Sequence, residues 1–177
     1  MDILQWLKFD HEAMLRSVEK LGGSTPGVTA KGPLGTLISE LAFDLLGHLK
    51  AEEEYLLPEL SGRFPGAELI VDLCSANQSI MRKNLKSLIK ASADEDQEAL
   101  ENAVAALRKA VEQHLDVQET QLMPKLRLHI PTGEREDLGL LVEDMMSDLR
   151  SEGLDIAAEL KSGLTRTKPA TGTHARA

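Results

Sequence analysis

Aromatic side chains are scarce: one tryptophan, one tyrosine and three phenylalanines, 3% of the chain. Sheet cores draw on aromatic and β-branched residues, so a chain poor in the former and rich in Leu, Ala, Glu and Lys favours helix over a β-sandwich. Cysteine is nearly absent too. The single Cys74 excludes an internal disulfide and fits a reducing compartment. No apolar run approaches the ~20 residues that a membrane span requires. The opening stretch, MDILQWLKFDHEAML, has an acid at position 2 and no basic region ahead of an apolar one, so it does not read as a secretory signal. Together these absences point to the cytoplasm. Positive charge is in deficit as well: the formal net charge is −9, and such a molecule is repelled at long range by nucleic acid and by anionic membranes. Only the end departs from this, because residues 162–177 contain Arg166, Lys168 and Arg176 and no acid.

What is present is the material of one globular domain. Apolar residues make up 42% of the 177 and charged residues 28%, enough to bury a core and keep a polar surface. Gly- and Pro-rich stretches at 22–33 (GGSTPGVTAKGP) and 61–66 (SGRFPG), a capping sequence at 92–96 (SADED) and a breaker at 129–137 (HIPTGERED) cut the chain into helical pieces. Between them apolar residues recur with helical period over roughly 2–21, 34–60, 66–91 and 96–128. Short links between long helices make antiparallel neighbours. The expected fold is all-α, an up-down-up-down four-helix bundle over residues 1–161 with an additional C-terminal helix at 136–154, followed by a flexible basic tail at 162–177.

The main clue is an internal repeat. GHLKAEEEYLLPEL (47–60) and QHLDVQETQLMPKL (113–126) align without gaps, so that His48 matches His114, Glu53 matches Glu119 and Pro58 matches Pro124. Each proline deletes a backbone hydrogen bond and disfavours the α conformation in the residue before it, so each helix is expected to bend or end within a turn of its proline. Polar groups interrupt the apolar stripes. His11 lies four residues after Leu7 and three before Met14; His48 lies three after Leu45; His114 lies three after Val111. All three therefore face inward, from three different helices. Buried imidazoles need partners for their nitrogens, and a buried carboxylate needs a cation. Glu52, one turn after His48, shares its face, so the pair can present an imidazole and a carboxylate to one ion.

The matching pair in the second repeat is less regular. One turn after His114 stands Gln118, and the carboxylate, Glu119, comes five residues on. At ~100° per residue, the fifth position lies about 140° from the histidine, so Glu119 reaches the centre only through a local distortion such as a π-type bulge. Gln118 offers instead a neutral amide oxygen. The carboxylate is taken here as the ligand.

These residues resemble the hemerythrin-like (HHE cation-binding) family, over roughly residues 1–160. The resemblance runs from FDHEAML through the two repeats to GEREDLGLLVEDM. It implies a four-helix bundle holding two non-haem irons, with ligands at His11, His48 and His114, a bridge at Glu52 and a second bridge at Glu119. The third helix departs from the pattern. It reads DLCSANQSIMRKNL and has no histidine; phase with Leu73 and Met81 puts Asn77 at the expected position, with Cys74 one turn earlier. One of the two ions is therefore expected to be loosely held or missing. Glu53 and Glu54 read as a solvated face, Tyr55 and the methionines as packing, and His129 as a helix C-terminal residue.

Three functions follow as expectations. The first is a non-haem iron protein that binds dioxygen or a related small ligand, or senses iron or redox state. The second is a degenerate site with a single structural ion. The third is a di-iron oxidase or peroxidase, for which the chain lacks the Glu-x-x-His pairs typical of ferritin-like enzymes.

Overall fold

The computed structural model describes residues 1–23 and 33–162. The expected loop at 22–33 and the tail lie largely outside these bounds. Among the described residues every regular element is helical. Helix α1 spans Ile3–Gly23, α2 Pro33–Ala51, α3 Leu57–Leu60, α4 Ala67–Ala93, α5 Gln97–Val117, α6 Met123–His129, α7 Thr132–Glu152 and α8 Ile156–Ser162. Two π-helical turns, π1 at Glu52–Leu56 and π2 at Gln118–Leu122, join α2 to α3 and α5 to α6, so each pair runs as one long rod.

Local sequence sets the ends. Gly66, at φ 84°, occupies the left-handed region just before α4, where a side chain would be strained. Asp96 caps α5, its carboxylate accepting from the Ala99 amide at 3.0 Å. Helix α7 begins at Thr132, directly after Pro131, four residues earlier than the apolar pattern suggested. The short α8 was not foreseen.

The π turns occupy the same place in both repeats, and the prolines account for it. Pro58 and Pro124 have no N–H, and a proline ring collides with the carbonyl four residues back in a regular α-helix. Ahead of each, the chain shifts to i→i+5 bonding: the Leu57 amide donates to the Glu52 carbonyl and the Met123 amide to that of Gln118. The expected distortion near each proline is therefore one extra residue per turn. After it, helix resumes.

Helices α1, α2, α4 and α5 form the bundle, with α1 against α2 and α5, and α4 against α2 and α5. Helix α7 packs along α1 and α2. Close approach there needs glycine: a Cβ at Gly139 would collide with the Met1 carbonyl, and one at Gly47 would press on Met146. The apolar interior falls into two clusters. One holds Met14, Leu41, Leu45, Met81, Leu85, Leu107 and Val111 among others. The other holds Leu4, Leu7, Leu56, Leu60, Cys74, Leu122 and Leu126. Between them lies a polar layer, because each rod changes character there: His11 between Leu7 and Met14, His48 and Glu52 between Leu45 and Leu56, Gln78 between Cys74 and Met81, and His114 and Gln118 between Val111 and Leu122.

Candidate metal centre

That layer consists of His11, His48, Glu52, Gln78, His114 and Gln118, all buried. The three histidine rings are neighbours, with centroids 5.4 Å apart for His11 and His48 and 5.6 Å for His48 and His114, both edge-on. His48, Glu52 and His114 offer one ligand atom each within 4.8 Å of one another, and all three side chains are fully buried. His48 Nε2 lies 2.9 Å from Glu52 Oε1, and His114 Nε2 lies 3.3 Å from Oε2. Close as they are, neither ring nitrogen has a hydrogen-bond partner, and His114 Nδ1 has none either. Buried polar atoms are nearly always satisfied, so nitrogens facing a carboxylate without a hydrogen bond offer a donor set suited to a cation.

The outer nitrogens of two histidines are fixed by acids. His48 Nδ1 donates to Asp10 Oδ2 at 2.7 Å, and His11 Nδ1 lies 3.1 Å from Glu119 Oε1. A carboxylate behind a histidine fixes the ring's orientation and leaves the other nitrogen directed toward the centre. Trp6 stacks on His48 at 5.6 Å with 12° between planes, covering that face of the ring. Asp10 was missed in the sequence. The only signal for it was its place beside His11, facing α2.

Electrostatics follow from burial and pairing. Burial acts to raise the Glu52 carboxyl, but the charges of His48 and His114 prevail and hold it well below the usual carboxylate range. Burial acts to lower His48, yet Glu52 and then Asp10 raise it to about 10. A proton there neutralises Glu52, the task a metal ion would take over. His11 is lowered by burial and by the neighbouring His48. Its Nδ1 faces Glu119 Oε1, and its Nε2 lies 2.7 Å from Gln118 Oε1, an acceptor to which a proton on Nε2 donates.

The structure differs from the sequence reading at three positions. Glu119 does not enter the central volume: its side chain is 54% exposed and it reaches only the outer nitrogen of His11. Gln118 takes the inner position and donates to Glu52 Oε1. The π turn begins at Gln118 and therefore widens the helix after the residue that matters, leaving residue 118 one ordinary turn from His114. On α4 the inward residue is Gln78, which donates to Glu52 Oε2 at 2.7 Å, while Asn77 is only half-buried. The sequence phase rests on Leu73 and Met81; Leu73 is only half-buried, and the buried stripe is Ile70, Cys74, Gln78, Met81 and Leu85. Glu53, read as solvated, forms a two-pronged pair with the buried Arg82. Cys74 is buried beside Gln118 and Glu52; burial above all, with the charge of Glu52, pushes its thiol up to about 12, so it is a neutral thiol at neutral pH.

Residues 2–126 match the family described as Hemerythrin HHE cation binding domain. The chain belongs to the hemerythrin family. No curated protein and no solved structure matches it. The family's cation-binding character agrees with the donor set. Two imidazoles and one carboxylate fit a single transition-metal ion, with His11 adjoining. They fit two ions poorly. Among the described residues Glu52 is the one fully buried acid, and a second divalent charge in the same dry interior would find only His11 and the neutral amides of Gln78 and Gln118, with no further buried acid.

Proposed function

We propose that this hemerythrin-family protein holds one iron ion between His48, Glu52 and His114, with His11 as an adjoining ligand. The ion's open positions take dioxygen or a related small ligand, in a binding or an iron- or redox-sensing role. One observation carries the reading: the Nε2 atoms of His48 and His114 are buried, face Glu52 and lack any hydrogen bond. Two histidines with one carboxylate, leaving open positions, are the set that suits non-haem iron(II). Bound iron would supply a redox-active Lewis acid. The chain's own groups do the rest: Asp10 and Glu119 hold the outer nitrogens of His48 and His11, Gln78 and Gln118 hold the two oxygens of Glu52, and the apolar clusters on either side keep water out.

Metal quantification after anaerobic loading with ferrous iron tests this. Close to one iron per chain is expected, and His48→Ala should abolish retention. No retained metal overturns the reading, and two irons per chain overturn the single-ion assignment. A second reading, a purely structural ion such as zinc, is favoured by the two neutral glutamines around Glu52. It predicts that the iron-loaded protein shows no change in visible absorption on exposure to air or nitric oxide, whereas an open site predicts a change.

A further inference from the structure

Arg82 is buried in the bundle, 4% exposed, and it is spent on a residue that touches no other part of the site. Its two terminal nitrogens grip the Glu53 carboxylate at 2.6 and 2.7 Å, while its Nε has no partner. Burying a guanidinium is costly unless a carboxylate pairs with it, so this placement fixes Glu53 firmly. Glu53 directly follows Glu52, within π1. One turn before Arg82 on α4, Gln78 holds Glu52 itself. Two consecutive carboxylates thus meet one neighbouring helix. A regular α-helix swings adjacent side chains ~100° apart, and the wider i→i+5 turn narrows that swing, which lets both face α4.

The second repeat does the same with other residues. Glu119, which matches Glu53, leaves the centre and ties π2 to His11 on α1, while Gln118, which matches Glu52, points inward. In both repeats the inner residue of the π turn faces the centre and the next residue fastens the turn to the adjoining helix.

We propose that the Glu53–Arg82 pair is a positioning clamp: it locks the π1 turn against α4 and thereby aims the Glu52 carboxylate at the ion. This rests on the metal reading above and names residues outside the donor set that control it. Partners behind metal ligands typically change affinity 10- to 100-fold when removed.

The test uses the full chain loaded with cobalt(II), whose visible bands report ligand geometry. Three proteins are compared: the parent, Glu53→Gln, and the double variant Glu53→Gln with Arg82→Met, which removes both charges and leaves no unpaired guanidinium. Affinity is expected to fall by about 10- to 100-fold in both variants, with shifted cobalt bands. The double variant should recover the thermal midpoint that Glu53→Gln loses, without recovering affinity, a separation that a merely structural pair would not give. Variants that bind within about twofold of the parent, with unchanged bands, overturn the clamp and leave the metal site standing. A parent that takes up no cobalt overturns the metal site and the clamp together.

Discussion

At the scale of the residue, the site is decided by which polar side chain occupies each interrupted stripe. Glu52 and Gln118 hold equivalent places in the two repeats, one turn after His48 and His114, and differ by a single charge. That difference sets how much positive charge the interior can hold. Gln118→Glu would place a second carboxylate against Glu52, at the position from which the present amide donates. In the metal-free protein the added like charge is buried against Glu52 with only His11 Nε2 beside it, so stability should fall, by about 3 kcal/mol. With metal in excess the variant should take up a second ion per chain, read by metal analysis, because the new acid supplies the charge that the native site lacks. Metal-free stability unchanged from the parent would contradict this charge accounting. The three histidines and Glu52 were legible in the sequence because each lies three or four residues from apolar neighbours on an unambiguous stripe. Gln78 was not. Leu69, Leu73 and Ile80 mimic a stripe on α4, and which of two candidate faces is buried depends on α2 and α5.

At the scale of the element, the π turns connect sequence to site. Each lies directly ahead of the Leu-Pro or Met-Pro step that its repeat carries. Replacing Pro58 by alanine restores an N–H and removes the ring that collides with the preceding turn, so π1 can relax toward regular helix. Glu52 and Glu53 would then turn relative to α4. Pro58→Ala should weaken metal binding by about 10-fold or more, on the scale of other changes behind metal ligands. Pro124→Ala should weaken it less, since π2 carries a neutral amide and an outer tie rather than the central carboxylate. Calorimetric titration of the two variants side by side checks the order. The sequence marked the place of both distortions through the prolines. It left open the residue that each distortion would present, because that depends on where the widened turn begins.

At the scale of the whole molecule, a polar layer separates two apolar clusters, and the bundle tolerates it because its groups bind one another or an ion. Metal binding is therefore linked to folding. A saturating ion should raise the thermal midpoint, by about 1.4 kcal/mol of stability for each tenfold excess of free ion over its dissociation constant, or roughly 3–5 °C for a chain of this size. Chelation should return the midpoint to the metal-free value; a midpoint indifferent to metal would mean that the layer is satisfied without one. The sequence by itself determined the helical class, the four long rods and the inward facing of His11, His48, Glu52 and His114, since these follow from composition and from apolar spacing along single helices. Only the tertiary structure decided that Gln78 and Gln118 line the centre, that Asp10 and Glu119 stand behind histidines, and that Arg82 grips Glu53. Those are contacts between rods. Their register is set by packing across the bundle, which no periodicity within one segment encodes.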